Sequence, residues 1–535
     1  MSRAVAPIAD PASAILPNPN VPKPDVPTPV STSAWTRLVA GGLVVVGFVV
    51  RILPLVQGRD LLVRQPTEDG YLMLTVARNM AIGLGMSTAA GTMPTNGVQP
   101  LATLIDALAF LVARGDKTAG VALVMALSIL IAGLSLLAVY RLGCALLAGR
   151  PDGREVAALA AAAWFASPIV IEHSTNALET GLYFLTTALC MRYFVVHAGD
   201  PDRDLSWRRA AVLGALLGLA FWSRNDAVFL AAAIALTRLG LALRRPAAVL
   251  ARRVGELAVA GAVMSAIAAP WMISNAVRFG SVVPISGKAE AATRIGGNLN
   301  ILPAKLAEFV TVVAAIPNPI EPRAAVRLIC SVLVLAAVGV AIAVFRRGGK
   351  PVRAGVVLGL CHAALFATYY GAFFGAGHFL SRYTAPISIL AAILTVAVVM
   401  VCVPARGLRA AFPAALCLLA VVLDARVYRK SHEHMHFQVV SWVEANVPPE
   451  AWVGAIQSGT VGFFHDRTIN LDGKTNPDAL RARGDDKMRA YVLGSPIRYL
   501  ADWSGIAGWA SFLGPYFKVV VDDAALNLGV LKRDG

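Results

Sequence analysis

Apolar runs of about the 20 residues that a helix needs to cross a bilayer recur along most of this chain. They lie at 35–56, 118–141, 155–171, 177–197, 209–223, 226–243, 255–276, 324–345, 353–373, 384–403 and 408–425, which predicts about eleven transmembrane helices. A further run at 98–113 is moderately apolar but contains Asp106. Spanning would strand that carboxylate in lipid, so the pattern predicts a helix lying along the membrane surface. After the first span the stretch Thr67-Glu68-Asp69-Gly70-Tyr71 opens a short helical period (Tyr71, Leu74, Ala77, Arg78), which Gly83 and Gly85 then break.

Beyond residue 428 the pattern changes. A helical period at 436–446, a Val447-Pro448-Pro449-Glu450 turn and strand-like runs at 451–456, 467–471 and 517–521 predict a small α/β domain. The expected division is a disordered tail at 1–34, a membrane domain at 35–428 and this domain at 429–535. The fold class expected is therefore a polytopic α-helical membrane protein with a small C-terminal periplasmic α/β domain.

Composition excludes a soluble protein: 57% of residues are hydrophobic, 15% are charged and the mean hydropathy is +0.65. The net charge of +16 does not call for nucleic acid, because the arginines cluster in short loops between apolar runs. Arg141/Arg150/Arg154, Arg203/Arg208/Arg209, Arg244/Arg245/Arg252/Arg253, Arg346/Arg347/Lys350/Arg353 and Arg406/Arg409 all fall on one side if 98–113 does not span. By charge bias that side is the cytoplasm of an inner (cytoplasmic) membrane, facing anionic lipid. The opposite, periplasmic side then receives Glu68/Asp69, 172–179, 224–226, the loop 277–323, 378–382 and the C-terminal domain. Residues 1–34 are rich in Pro, Ala and Val without a signal-peptide core, and read as a cytoplasmic tail. The six cysteines lie in or beside apolar runs with no metal-ligand spacing, as small buried hydrophobes do.

Five polar groups stand at periplasmic helix ends. Glu68 and Asp69 offer an ionised carboxylate that can accept a hydroxyl proton. Glu172-His173-Ser174-Thr175-Asn176 leads to Glu179, which also suits the N-terminal dipole of the next helix. Arg224 and Asp226 join two spans, Asp226 being an expected N-cap. Lys288 follows a span, and His378, Arg382 and Tyr383 open another, where a guanidinium can snorkel or fork a phosphate. No spacing supports a metal centre, so the cofactor stays unassigned and a divalent cation stays open. Hydrolysis of an unactivated glycoside wants paired carboxylates. Transfer from a lipid-phosphate sugar needs one base plus positive charge for the departing phosphate, which fits better.

The order of these signals resembles the GT-C superfamily of polyprenyl-phosphate-sugar-dependent glycosyltransferases. It is most similar to the bacterial arabinofuranosyltransferases and lipid A aminoarabinose transferases, with protein O-mannosyltransferases more distant. The residues carrying it are Glu68-Asp69-Gly70-Tyr71, Ala77-Arg78-Asn79, Gly83-Leu84-Gly85 and Thr95-Asn96-Gly97-Val98-Gln99-Pro100-Leu101. Ala177-Leu178-Glu179-Thr180, Ser223-Arg224-Asn225-Asp226-Ala227, Pro284 to Lys288, Arg382-Tyr383 and 469–477 follow. The resemblance implies a GT-C-like catalytic membrane domain whose base is Asp69 or Glu68, the family pair being usually two aspartates. It implies substrate contacts from Glu179, His173, Asn176, Arg224, Asp226, Lys288, His378, Arg382 and Tyr383, with Asp472 and Lys474 in the C-terminal domain nearest to a site motif. The expected reaction is inverting transfer from a polyprenyl-phosphate sugar donor to an envelope glycan, lipid or protein acceptor. Two other classes compete: a transporter of an envelope precursor, which would put ionisable groups at mid-membrane in repeated halves, and a non-catalytic glycan-binding scaffold.

Overall fold

The structure is a computed structural model; it describes residues 34–291, 295–312, 323–402, 406–430 and 436–534. The expected tail at 1–34 lies almost wholly outside the described residues. Every one of the eleven apolar runs is helical over most of its length among the described residues. Among the described residues, seven helices are long and apolar enough to cross a membrane, from Ala34–Val56 to Gly407–Arg426. An eighth is added if Gly153–Phe165 and Pro168–Ser174 count as one span bent by 62°. The bend sits where Pro168 removes a backbone donor and starts a new helix.

Thr180–His197, Trp207–Ser223 and Ala227–Gly240 make up the rest of the eleven, and they fall short of that standard. Two of them sit deep in the bundle. Phe184, Met191 and Phe194 of the first and Ala210 and Leu213 of the second are almost inaccessible. Neighbouring helices cover one side of each while Val196, Val212 and Leu219 stay exposed, so only the covered side is released from the apolar rule. Pro100–Val112 forms the predicted additional helix. At 13 residues it is too short to span, and it turns Asp106 inward while Leu108, Leu111 and Val112 stay exposed.

The core centres on Trp164, Phe165, Phe184, Phe366, Leu390 and Ile393, with the Trp164 indole donating to Ser388 Oγ at 2.9 Å. Small residues bring helices close. Gly214 and Gly218, one turn apart, lie against Ala247–Phe279, where an added Cβ would come within 2.9 Å of Val263 Cβ and 2.8 Å of Ile267 Cβ.

The two ends of the bundle differ in charge chemistry. At one end the arginine-rich loops knit together: Lys350 pairs with Asp200 and Asp202 at 3.0 and 2.8 Å, Arg253 with Asp204 at 2.6 Å, and Arg238 with Glu256 at 2.9 Å. The C-terminal domain caps the other.

That domain is a five-stranded mixed sheet in the order Thr468–Asn470, Trp452–Ala455, Ile497–Asp502, Leu528–Arg533, Phe517–Asp523. The first three strands are parallel and the last two antiparallel. The chain enters at Trp452–Ala455, second in that order, adds the edge strand Thr468–Asn470 on one side and then crosses to Ile497–Asp502 on the other. The crevice outside the carboxyl ends of such strands is a natural binding position, and here it faces Glu68 and Asp69.

Overpacking the close helix contact should destabilise the bundle. Gly214→Leu is expected to cost about 1–3 kcal/mol, read as a lowered thermal midpoint in detergent. Gly261→Leu, on the same partner helix but with open space at its Cβ, should leave the midpoint unchanged.

Candidate functional site

Thr67 caps the helix Glu68–Ala81, its hydroxyl accepting from Gly70 N at 3.2 Å. The turn then packs directly on the loop before Thr180: Thr67 N donates to the Asn176 carbonyl at 3.2 Å, and a Cβ at Gly70 would run into that same oxygen. Fully buried Tyr71 hydrogen-bonds the Val63 carbonyl. The first turn is thus locked, with both carboxylates at the favourable end of the helix dipole. Being successive helical residues they point about 100° apart and meet different partners.

Glu68 is enclosed by the C-terminal domain. Its carboxylate accepts from Gly459 N, from Thr460 N at 2.8 Å and from Thr460 Oγ1 at 2.6 Å, all just past the strand Trp452–Ala455. Burial raises its pKa above the usual carboxylate range, with these hydrogen bonds opposing. Glu68 does not line the cavity; it bolts the domain to the bundle.

Asp69 faces the cavity. Arg382 Nη1 lies 3.0 Å from one carboxylate oxygen and Lys474 Nζ 3.2 Å from the other. Burial acts to raise its pKa, but the Lys474 ammonium and the Arg382 guanidinium outweigh it and bring it down to about 2. Lys474 also meets Glu290 at 3.0 Å and Asp472 at 3.9 Å. Burial acts to lower its pKa, but Asp69, Asp472 and Glu290 outweigh it, raise the pKa and keep the group an ammonium.

Arg382 stands on the short helix Leu380–Thr384, its guanidinium 4.8 Å from the Phe379 and Tyr383 rings and donating to Tyr383 Oη at 2.9 Å. The preceding Ser381 is clamped by a buried pair, donating to Glu308 at 2.8 Å and accepting from Lys305 Nζ at 2.9 Å. Arg224 is buried between Asp226 at 2.9 Å and Glu179 at 3.6 Å, under the Tyr383 ring at 4.6 Å. Asp226 and Glu179 occupy N-cap positions without capping; both carboxylates turn to Arg224 instead. Tyr370 closes the group, its hydroxyl donating to Asp226 at 2.5 Å and accepting from Arg224 at 3.3 Å.

These side chains wall a cavity of about 400 Å³. Its polar end carries Asp69, Glu179, Arg224, Asp226, Glu290, Arg382, Tyr383 and Lys474; its apolar flank includes Leu72, Met73, Phe229, Met272 and Val283. Of the expected residues, Asp69, Glu179, Arg224, Asp226, Arg382, Tyr383 and Lys474 converge here. Asp472 is a step behind, holding the Lys474 main-chain N–H at 2.8 Å. His173 is buried without lining the cavity, and Asn176 serves the helix cap through its carbonyl. Lys288 and His378 are exposed and stand outside the wall. Lys288 lies on the one-turn helix Ile285–Ala289, whose other side gives the cavity Ser286, Gly287 and then Glu290.

Glu290, Tyr370, Lys305 and Glu308 escaped the sequence reading. Glu290 and Tyr370 carry no signal beyond their residue type. A Lys-x-x-Glu spacing in an apolar stretch was the available hint for the other pair. Among the described residues no three His, Cys, Asp or Glu side chains gather as metal ligands would.

A family model described as a domain of unknown function (DUF8728) matches residues 425–521. No curated protein matches the chain. Among solved structures, ArnT from Cupriavidus metallidurans in its apo state aligns at TM-score 0.57 and 13% identity, over 93% of this chain and 98% of that one. The same protein bound to undecaprenyl phosphate aligns at 0.56 and 14%, over 94% and 98%. The oligosaccharyltransferase AglB from Archaeoglobus fulgidus, in complex with an inhibitory peptide and a dolichol-phosphate, aligns at 0.51 and 12%, over 91% and 73%. The expected GT-C architecture, a helical membrane bundle with a C-terminal sheet domain, is thereby borne out at the level of fold.

Two outcomes follow for the acidic pair. Glu68→Ala orphans three donors of the C-terminal domain, at about 1–3 kcal/mol for such buried groups, and should make the domain's connection to the bundle sensitive to limited proteolysis. Asp69 has its folded-state pKa depressed from 3.8 to about 2, so its ion pairs stabilise fully above pH 4 and are lost as pH falls towards 2. Thermal midpoints measured against pH should show that acid loss in the wild type, and Asp69→Asn should remove its contribution.

Proposed function

We propose that this protein is a membrane glycosyltransferase that moves a sugar from a polyprenyl-phosphate carrier to a hydroxyl of an envelope glycan, lipid or protein. The observation that carries the reading is Asp69, a carboxylate facing a cavity that combines an apolar flank with Arg224, Arg382 and Lys474. The two solved relatives bound to undecaprenyl phosphate and a dolichol-phosphate support the donor class.

The transfer balances as a single displacement. The acceptor hydroxyl attacks the anomeric carbon from the face opposite the phosphate, and its proton passes to an Asp69 oxygen. The bond between the anomeric carbon and the phosphate oxygen breaks, and its electron pair stays on the departing polyprenyl phosphate. Arg224 and Arg382 provide fixed positive charge for that oxygen in a site shielded from bulk water. One displacement inverts the anomeric centre. The apolar flank takes the first isoprene units of the carrier, and Glu179 with Asp226 holds Arg224 in place for sugar and phosphate. Hydrolysis by a carboxylate pair is the weaker reading, because Glu179 and Asp226 face Arg224 and Glu290 faces Lys474. The cavity's position at the end away from the arginine-rich loops supports a periplasmic site by charge bias.

The test is transfer of radiolabelled sugar from a lipid-linked donor by purified protein in detergent, with an envelope extract as acceptor. Asp69→Asn should lower the rate by about 100-fold or more, the usual contribution of a general base. Glu68→Gln, which keeps an acceptor towards Thr460, should retain measurable transfer. Full activity in Asp69→Asn would defeat the assignment.

A further inference from the structure

The cavity wall carries four carboxylates, Asp69, Glu179, Asp226 and Glu290, against three cations, Arg224, Arg382 and Lys474. A wall with one excess negative charge repels a phosphate unless the phosphate takes over the cations of a carboxylate already there. Asp69 is the carboxylate placed for that exchange. Arg382 and Lys474 straddle it, each on a different oxygen, at 3.0 and 3.2 Å. Two cations spaced to fork one carboxylate are also spaced to fork two oxygens of a phosphate. Held between them, with its pKa near 2, the carboxylate is a poor acceptor for a hydroxyl proton.

We propose, on the basis of the lipid-phosphate reading above, that Lys474 of the C-terminal domain and Arg382 of the bundle form the clamp for the donor's phosphate. Asp69 fills this clamp while no donor is bound, and the arriving phosphate displaces it and so frees the base.

Rigidity of the Lys474 loop supports this. Asn470 Oδ1 accepts from Gly473 N at 3.0 Å and Thr475 N at 3.4 Å, and Asp472 accepts from Lys474 N at 2.8 Å. Gly473 adopts a φ of +87°, where an added Cβ would lie 2.8 Å from Leu480. On the bundle side, a Cβ at Gly97 would strike the Lys474 carbonyl. The ammonium is therefore presented across the interface by a braced turn. The guanidinium side has capacity to spare: Arg382 Nε and Arg224 Nη1 are buried without an acceptor among the described residues. A phosphate at the clamp would supply oxygens to such donors, whereas the Asp69 carboxylate leaves them unmet. Donor binding and base activation then become one event, so the protein holds a competent base only when a donor is present.

The experiment measures binding of undecaprenyl phosphate, without sugar, to the full-length protein in detergent by intrinsic tryptophan fluorescence. Lys474→Gln should bind at least about tenfold more weakly than wild type, and Asp69→Asn about tenfold more tightly, because the competing charge is gone. The double variant should lose the gain. If Asp69 merely organised the two cations, Asp69→Asn would bind more weakly; that result, or wild-type affinity in Lys474→Gln, overturns the clamp. Thermal midpoints of each variant exclude misfolding as the cause. Wild-type protein that binds no undecaprenyl phosphate would instead overturn the lipid-phosphate reading, and the clamp with it.

Discussion

Two carboxylates on consecutive residues of one capped helical turn organise this molecule. Helical geometry sends successive side chains in directions about 100° apart. Glu68 therefore reaches Gly459 and Thr460 of the C-terminal domain while Asp69 reaches the cavity. The bond that seats the domain and the carboxylate that faces the cavity are one residue apart. Lys474 closes the loop by returning from the domain to that same Asp69 carboxylate. The C-terminal domain is thus part of the site and not an appendage above it.

Charge burial explains the rest of the site's shape. Ionised groups at a membrane face are tolerated when each finds a partner, since an isolated buried charge is costly. Arg224 is held by Glu179 and Asp226, Lys305 by Glu308, and Lys474 by Asp69, Glu290 and Asp472. Around them Phe379, Tyr370 and Tyr383 offer aromatic faces and hydroxyls that position guanidinium groups without adding charge. The outcome is a rigid polar floor under an apolar flank, suited to a ligand with an anionic head and a hydrocarbon tail. The GT-C fold shared with ArnT and AglB supplies the scaffold; the contacts that finish this site come from Glu290, Tyr370 and Lys474.

Hydropathy alone located every long helix, because burial in lipid imposes a length and an apolarity that each segment must meet on its own. The number of spans is a separate matter, since seven or eight of these helices meet the length and apolarity standard individually. Thr180–His197, Trp207–Ser223 and Ala227–Gly240 are helices of a bundle, and how much lipid each one sees depends on neighbours the pattern does not record. In the C-terminal domain, helix Phe437–Asn446 and strands near 452, 468 and 517 were legible. The strands Ile497–Asp502 and Leu528–Arg533 were not, the first because its apolar and polar residues do not alternate, the second because it ends in charge.

By itself, the sequence determined the membrane class, the helical segments, the acidic turn that opens a short helix and the residue types from which a phosphate-handling site could be built. Tertiary structure decided which of those residues meet. It put Arg382 and Lys474, 313 and 405 residues away in the chain, on the two oxygens of Asp69. It gave Glu68 to the sheet domain and left Lys288 and His378 outside the cavity wall. Periodicity is a local property, written into each segment by the medium that surrounds it. An ion pair across hundreds of residues leaves no such trace, because its energy depends on a distance that exists only after the chain has folded.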